Sequence, residues 1–300
     1  MGKNPLEIDA EAACQQAAEF IESKRSALNR DGILLSLSGG LDSAVVAYLS
    51  LRGVDKARIR LLYLPDRDSK DRHRKDAKLI AGELGISLQV QDITPILDAA
   101  GVYGLLPLRF APGRRLKELL VKLGMQVARM DQENLLAARL NPPPDSLVSK
   151  GNAYGMIKHR MRMVVLYHHA YIHNLAVVGA ANKTEWMTGT FSQWGCDHCA
   201  DIMPILHLYR TQVEDLARTL QIPAQIRNKA ADPDVIPGVN DKGELLGSFL
   251  DTDQILWGLE QGEEKESLEA RFGSKRVQWV VTLYEASRFM RESPYRLGVD

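Results

Sequence analysis

The chain has few cysteines, no long apolar run and no excess of charge of either sign. Three cysteines in 300 residues do not make a disulfide framework. Apolar stretches such as Ile33–Leu37 and Leu175–Val178 are far too short to cross a bilayer, and Met1–Ala10 lacks a signal-peptide pattern. Because 38 basic residues balance 38 acidic ones, no overall field attracts nucleic acid or an anionic membrane. These absences predict a cytoplasmic protein with no nucleic-acid partner and no membrane partner.

Short apolar runs alternate with helical patterns along most of the chain. After an amphipathic stretch at Ala10–Leu28, strand-like runs occur at Gly32–Leu37, Ile59–Leu64, Ser87–Val90 and Leu175–Val178. Strands that alternate with helices in this way favour a parallel sheet covered on both faces. The sequence therefore predicts an α/β fold with a doubly wound, mostly parallel sheet.

Three segments need a separate interpretation. Gly101–Pro144 is helix-prone over Arg115–Leu140 and ends in three consecutive prolines, which stop a helix. Lys229–Gly247 is rich in Asp, Pro and Gly, a composition typical of a long active-site loop. The run of mixed charges at Arg67–Lys78 is interpreted as the solvated start of a helix.

Helical patterns return near the C-terminus, at Thr252–Glu260 and Lys275–Met290. We therefore expect a single domain over residues 1–300. It would carry a helical insertion at about 101–150 and a C-terminal helical segment at about 252–291.

The segment Ser38–Ser43 (SGGLDS) lies between a predicted strand and a predicted helix. Backbone N–H groups at such a junction can hold an anion, and Gly39 and Gly40 allow close approach to phosphate oxygens. The hydroxyls of Ser38 and Ser43 can donate hydrogen bonds, and Asp42 can hold Mg²⁺ against the phosphates. No Gly-Lys-Ser/Thr follows, so transfer of a terminal phosphate is disfavoured. A tight turn in which Asp42 or Ser43 caps the helix is the alternative without a ligand.

This loop resembles the SGGxDS loop of the PP-loop ATP-pyrophosphatases. Members of that superfamily cleave ATP between its α- and β-phosphates, release pyrophosphate from the loop and leave AMP on an activated oxygen. The resemblance implies ATP as co-substrate, Mg²⁺ as cofactor and a sheet of the adenine-nucleotide alpha hydrolase type.

Further segments resemble, in order, motifs of the ammonia-dependent NAD synthetase family. They are KHRMRM at Lys158–Met163 (family KARxRM), GAANKTE at Gly179–Glu185 (GTGNKSE), TGTFSQWG at Thr188–Gly195 (TGxFTKYG), ADIMPI at Ala200–Ile205 (ADIxPI) and RTQV at Arg210–Val213 (KTQV). The resemblance covers residues 33–94 and 150–260. It implies a carbon–nitrogen ligase that joins ammonia to the carboxylate of deamido-NAD, and a homodimer.

The family motifs assign roles around the ATP phosphates. Glu185 matches the second Mg²⁺ carboxylate beside Asp42, with a surface helix glutamate as the alternative. Arg210 stands where the family has a lysine that contacts ATP phosphate. Asp197 matches the family's loop aspartate and is a candidate for the chemistry. Asp232 occupies the position of an ATP-contacting Thr or Ser.

Other matched positions imply contacts with the dinucleotide. Arg160 suits bidentate binding of phosphate or carboxylate, although a helix-face role or an exchange with Arg162 is the alternative. Gln193 replaces a family lysine that faces the substrate. Asp201 would lie in the substrate loop, with a loop-bracing role as its alternative.

Several departures from the family pattern leave the identity of the acid substrate open. Ala180 replaces a threonine near ATP, Gln193 removes a positive charge, and Phe289-Met290 align loosely with a substrate-contacting His-Lys pair. The ATP half of the site therefore matches the family more fully than the nicotinate half.

Cys196 and Cys199 form a C-x-x-C pair, and Cys14 lies elsewhere. A structural zinc usually takes four ligands, and the sequence offers no second pair. A redox or sulfur-relay pair and two loop cysteines without a metal are the two remaining interpretations.

Because the phosphate loop begins at Ser38, only one helix is predicted before it, which implies free ammonia or ammonia from a separate partner.

Two other functions stay open at this point. The first is another PP-loop ATP-pyrophosphatase that acts on a different acid and forms an amide or transfers sulfur through Cys196 and Cys199. The second is a non-catalytic nucleotide-binding relative. Retention of both Asp42 and Glu185 argues against the second, because binding alone does not need a complete pair of metal ligands.

Overall fold

Four parallel strands form the sheet of this protein. A computed structural model describes residues 5–106, 114–127, 137–196, 198–229, 248–292, 294–295 and 297. Its strands are β1 Gly32–Ser36, β2 Ile59–Tyr63, β3 Leu88–Val90 and β4 Leu175–Val178, in the order β3-β2-β1-β4. Each neighbouring pair is parallel. The predicted α/β fold with a parallel sheet is confirmed.

Helices cover both faces of the sheet. In chain order the named helices are α1 Ala10–Ala27, α2 Leu41–Gly53, α3 Asp71–Leu84, α4 Thr94–Ala99, α5 Arg114–Val127, α6 Leu147–Ile172, α7 Lys183–Thr188, α8 Arg210–Thr219, α9 Ala224–Arg227, α10 Phe249–Glu260, α11 Lys265–Phe272, α12 Ser274–Ala286 and α13 Arg288–Glu292. No helix among the described residues is long and apolar enough to span a bilayer.

Alternate residues of β1 enter two different cores. Ile33 and Leu35 pack in the cluster that contains residues of α1, α2, α3 and α8. Leu34 packs in the cluster that contains residues of α4 and α6. Because successive side chains of a strand point to opposite faces, a strand that is apolar at every position must be covered on both sides. The continuous apolar run thus explains the doubly wound arrangement.

The C-terminal helices form a third core with the helices that follow β4. Ile255 of α10, Leu268 of α11 and Val277 of α12 are fully buried against Met187 of α7 and Tyr209, which precedes α8. The predicted segment at Lys275–Met290 is two helices, α12 and α13, and α11 precedes them. These helices support α7 and α8 from the side away from the sheet.

Much of the described part of the predicted insertion at about 101–150 is helical. Helix α5 and a short helical segment at 137–140 lie within the helix-prone stretch. Helix α6 begins at Leu147, inside the predicted insertion, and runs back to the sheet. The single-domain organisation stays a prediction.

The charge run at Arg67–Lys78 leads into helix α3 and most of its charged members are exposed, as predicted, but three of them are buried: Asp68, His73 and Asp76. Lys158 Nζ, which is also fully buried, lies 2.8 Å from Asp68 Oδ2 and 2.8 Å from Asp66 Oδ2. Lys158 is distant in the sequence from Asp66 and Asp68, so the sequence of the charge run alone does not reveal the partner of these aspartates.

This buried ion cluster joins the insertion to the end of β2. Lys117 of α5 donates to Asp68 Oδ1 over 2.8 Å, and the hydroxyl of Tyr154 on α6 donates to Asp68 Oδ2. Burial alone would raise the pKa of Asp68, but the charge of Lys158 and the hydrogen bonds from Lys117, Lys158 and Tyr154 hold it below its usual range. The cluster fixes α5 and α6 against the carboxyl edge of the sheet.

Replacing Lys158 by Met leaves the carboxylates of Asp66 and Asp68 without their fully buried cation. We expect Lys158→Met to lower the free energy of unfolding by about 3–5 kcal/mol, measured by urea denaturation followed by circular dichroism. Lys265 is partly exposed and pairs with Glu269 at the surface, so Lys265→Met should cost less than about 1 kcal/mol. Equal effects of the two substitutions would contradict the structural role of the buried cluster.

Candidate active site

The phosphate loop turns sharply between β1 and α2. Gly39 has φ +79°, and a Cβ at this position would lie 2.5 Å from the backbone oxygen of His73, so only glycine fits. Ser38 Oγ and Ser43 Oγ lie 3.0 Å apart, and Ser43 Oγ donates to the carbonyl of Gly40. The N-cap of α2 is Gly40, which supplies no side-chain cap, so neither Asp42 nor Ser43 serves as one. Uncapped N–H groups behind a glycine-rich turn suit an anion.

Helix α7 carries Glu185 to the same edge of the sheet. Asn182 is its N-cap: Asn182 Oδ1 accepts from the N–H of Glu185 (3.0 Å), and Glu185 Oε2 accepts from the N–H of Asn182 (3.4 Å). Asn182 Nδ2 also donates to Asp42 Oδ1 over 3.1 Å. Both predicted metal ligands therefore contact the same residue. Sequence reasoning missed Asn182, although the N-x-x-E spacing of a capping box was available.

Arg210, at the start of α8, contacts the carboxylates of Asp42 and Glu214. Its Nη1 is 2.8 Å from Asp42 Oδ2, and its Nε is 3.2 Å from Glu214 Oε1. Burial would lower the pKa of Arg210, but the charges of Asp42, Glu214 and Glu185 outweigh burial and raise it. A fixed positive charge is thus held beside the phosphate loop, as the family motif implies.

Lys229 holds the other side of the phosphate loop. Its Nζ donates to the carbonyl oxygen of Gly39 over 3.0 Å and lies 2.8 Å from Asp76 Oδ2 and 2.9 Å from His73 Nδ1. Sequence reasoning placed Lys229 only at the edge of a loop. By binding the carbonyl of Gly39, Lys229 fixes the peptide whose orientation the phosphate loop requires.

Two predicted residues lie outside the described part of the chain. Asp197 follows Cys196, and Asp232 lies in the segment 230–247. Most of the predicted active-site loop at Lys229–Gly247 also falls there. The roles of Asp197 and Asp232 stay predictions.

Asp201 braces the loop that follows β4. Its Oδ2 accepts from the N–H of Val177 over 2.8 Å, and its Oδ1 accepts from the hydroxyl of Tyr167 over 2.9 Å. Its loop-bracing role is therefore present in the structure. Asp201 is also exposed, so its carboxylate is accessible from solvent.

Arg160 and Gln193 lie together at the outer side of the site. Arg160 is exposed on α6, and its Nε donates to the carbonyl oxygen of Gln193 over 3.2 Å. The neighbouring Arg162 instead donates from its Nε to the carbonyl of Leu64 at the end of β2. The structure thus separates the two arginines that the sequence left interchangeable.

Aromatic rings line the loop between α7 and Asp201. Trp186 and Phe191 are stacked with centroids 4.6 Å apart, and the ring of His198 lies 5.3 Å from Trp186 and 4.7 Å from Trp194. Burial lowers the pKa of His198, which favours its neutral form. The loop offers flat, uncharged surfaces that suit an aromatic ligand ring.

Neither cysteine of the pair in this loop forms a disulfide with another described residue. Cys196 Sγ contacts the carbonyl oxygen of His159 at 3.5 Å, and burial raises the pKa of Cys199. Across the described residues, no group of three or more His, Cys, Asp or Glu side chains could hold a metal ion. The interpretation of two loop cysteines without a metal stays a prediction.

A cavity of about 740 Å³ lies behind α7. Lys183, Trp186 and Met187, which share one face of α7, line the cavity together with Phe20 of α1 and Tyr284 of α12. Lys183 Nζ is already 2.6 Å from Glu260 Oε2. Helix α7 therefore separates this cavity from the phosphate loop.

The family model for NAD synthase matches residues 13–103 and 114–294. The NH(3)-dependent NAD(+) synthetase of Thermotoga maritima is 38% identical over 277 residues, which cover 92% of this chain and 95% of that protein. The NH3-dependent NAD synthetase structure from Campylobacter jejuni superposes with a TM-score of 0.69 at 22% identity, covering 97% of this chain and all of that one. The NMN synthetase structure from Francisella tularensis gives a TM-score of 0.70 at 21% identity, with coverage of 98% and 100%. The chain therefore belongs to the NAD synthase family and is a carbon–nitrogen ligase.

Proposed function

We propose that this protein is an ammonia-dependent NAD synthetase, which converts deamido-NAD, ATP and ammonia to NAD, AMP and pyrophosphate. The observation that carries the proposal is the contact of Asn182 with both Asp42 and Glu185 beside an uncapped glycine-rich turn. It is the arrangement expected for an enzyme that holds Mg²⁺ and the phosphates of ATP. The name of the Thermotoga maritima relative supports the choice of substrates.

Asp42 and Glu185 fit Mg²⁺ as its protein ligands. Mg²⁺ prefers hard oxygen donors and is usually bound by one or two carboxylates together with substrate phosphates and waters. Two carboxylates that contact one asparagine satisfy this requirement without a third acidic side chain. When bound, Mg²⁺ would offset the negative charge that builds up on the departing pyrophosphate.

In the first half-reaction, a carboxylate oxygen of the acid attacks the α-phosphorus of ATP. The bond from that phosphorus to the bridging oxygen breaks, so pyrophosphate leaves and an acyl-adenylate forms. The N–H groups at the start of α2, the hydroxyls of Ser38 and Ser43 and the guanidinium of Arg210 stabilise the charge on pyrophosphate. Release of Arg210 from Asp42 would make this charge available to the phosphates.

In the second half-reaction, ammonia attacks the acyl carbon and AMP leaves. The nitrogen loses a proton to water, and the carboxylate oxygen stays on AMP. This step needs no covalent intermediate with the protein, since the adenylate is already activated. The contribution of the protein is to position the acid and to stabilise the leaving AMP.

We assign the dinucleotide side of the site to the surface formed by Arg160, Gln193 and Asp201. Arg160 is exposed and can turn its guanidinium from the carbonyl of Gln193 to a phosphate or carboxylate. Asp197 and Asp232 are proposed to act in the chemistry and in ATP binding. The neutral Gln193 leaves less positive charge here than the family motif has.

Sulfur transfer through Cys196 and Cys199 is disfavoured. A relay needs a reactive thiolate, and burial raises the pKa of Cys199. A non-catalytic role is disfavoured because both carboxylates of the pair are retained and held together by Asn182. We propose that the protein acts in the cytoplasm.

The central test is the identity of the nucleotide product. We expect phosphorus NMR of a mixture with ATP, Mg²⁺, ammonium and deamido-NAD to show AMP and pyrophosphate in equal amounts, together with NAD. A parallel mixture offers deamido-NMN, because one structural neighbour is named NMN synthetase, and we expect slower turnover. ADP as the main product, or amide formation with neither acid, would contradict the proposal.

Each predicted metal ligand should be indispensable. We expect Asp42→Asn and Glu185→Gln each to lower the rate of AMP formation at least about 100-fold, which is about 3 kcal/mol of transition-state stabilisation. Glu214→Gln is the matched control, because it removes a carboxylate that contacts Arg210 from the other side. Its rate should fall no more than about threefold, about 0.7 kcal/mol. Near-parental rates for either site variant at limiting Mg²⁺ would reject the assignment.

We further propose that the protein forms a homodimer through α6. Val164, Tyr171 and Ile172 are 62%, 74% and 62% exposed, and their spacing places them on one face of the helix. A large apolar stripe on a soluble protein marks an interaction surface. A second copy of the chain is the partner that the family resemblance implies.

Light scattering after size-exclusion chromatography tests this interface. The parent protein should have twice the mass of one chain, and Val164→Asp with Tyr171→Asp should shift it to the monomer. Leu250→Asp serves as a control, because Leu250 is an exposed apolar residue on α10. A monomeric parent, or dissociation by the control alone, would contradict the proposed interface.

A further inference from the structure

Asp253 is a fully buried carboxylate on α10 that has no place in the proposed chemistry. Its Oδ2 accepts from the N–H (2.9 Å) and the hydroxyl (2.8 Å) of Thr211, in the first turn of α8. Its Oδ1 accepts from the hydroxyl of Thr184, in the first turn of α7, over 2.5 Å. One side chain therefore binds the beginnings of the two helices that carry Glu185 and Arg210.

Thr184 extends this connection to the backbone of Arg210. While its hydroxyl donates to Asp253, its oxygen accepts from the N–H of Arg210 over 2.8 Å. Thr184 directly precedes Glu185, and Thr211 directly follows Arg210. Glu185 and Arg210 are thus each adjacent in the chain to a threonine that Asp253 holds. The distance between α7 and α8 at the site depends on these hydrogen bonds.

The contacts require a carboxylate rather than another group of the same shape. All three groups around Asp253 donate, and an ionised carboxylate accepts on both oxygens. An asparagine would present an N–H₂ group to one of these donors and leave that donor without an acceptor. Burial raises the pKa of Asp253 to about 6, although the three hydrogen bonds act in the opposite direction. The charge is therefore held at neutral pH in spite of its cost.

The ionisation of Asp253 lowers the stability of the fold, so a neutral residue at this position need not unfold the protein. Because the folded-state pKa lies above the ordinary value of an aspartate, ionisation of Asp253 lowers stability as the pH rises from about 4 to about 6. Asp253→Asn removes this cost while it breaks a hydrogen bond. The variant should therefore stay folded at pH 7.5, with a thermal midpoint within about 4 °C of the parent.

We propose that Asp253 is a positioning residue, which acts through Thr184 and Thr211 to set the separation of Glu185 and Arg210 that ATP phosphates require. The inference rests on the proposed function for the identity of the ligand. It adds a buried residue, Asp253, that controls the first half-reaction and not the second.

The experiment compares Asp253→Asn with Asp251→Asn. Asp251 lies on the same helix, and its substitution removes the same charge, but its partner is Arg276 at the surface. The rate of the first half-reaction is measured as exchange of pyrophosphate into ATP in the presence of deamido-NAD. We expect Asp253→Asn to lower this rate about 10- to 100-fold and to leave the KM for ammonia within about twofold, while Asp251→Asn changes neither.

Coupling to Thr184 distinguishes positioning from a general loss of packing. Thr184→Val removes the hydroxyl at nearly constant volume, and Thr184→Ser retains it. We expect Thr184→Val to match Asp253→Asn, the double variant to be within about threefold of either, and Thr184→Ser to keep the parental rate. Multiplied effects in the double variant, or a parental rate in Asp253→Asn, would overturn the proposal.

Amide hydrogen exchange provides a readout that does not depend on turnover. We expect the N–H groups of Arg210 and Thr211 to exchange at least about tenfold faster in Asp253→Asn than in the parent, and at parental rates in Asp251→Asn. A parent that forms no AMP would refute the proposed function, and the exchange data would still decide the role of Asp253. Unchanged exchange in Asp253→Asn would overturn that role even in an active enzyme.

Discussion

The parallel pairing of β1 with β4 is the constraint on which the candidate site depends. Leu35 of β1 is in register with Val178 of β4, although more than a hundred residues separate them. Because parallel strands end at the same edge, the turn after β1 and the turn after β4 must lie side by side. Asp42 and Glu185 are brought to one place by this pairing, and Asn182 joins them there.

Buried charge then fixes the elements around that edge. Lys158 and its two aspartates hold the helices of the insertion to the end of β2, and Lys229 holds the phosphate loop to α3. Asp253 joins α7 to α8 on the far side. Breaking any of these buried contacts leaves an uncompensated polar group, so each one favours a single arrangement of the site.

The sequence predicted each strand to within one residue, because a short apolar run between polar turns has few other interpretations. It also predicted the turn at Ser38–Ser43 between a strand and a helix, because that turn follows from a local motif. The buried state of Asp68 and Asp76 was not predictable, because the lysines that neutralise them are distant in the chain. Asp253 was missed for the same reason: it lies in a polar stretch of its helix, between Thr252 and Gln254, and its partners Thr184 and Thr211 are distant in the chain.

The central claim is that the carboxylate of the acid attacks the α-phosphorus of ATP. Deamido-NAD labelled with ¹⁸O in its carboxylate tests this claim directly. The products of a single turnover are separated, and their masses are measured by mass spectrometry. The account predicts one ¹⁸O atom in the phosphate of AMP and none in pyrophosphate. Unlabelled AMP, or label in pyrophosphate or inorganic phosphate, would contradict it.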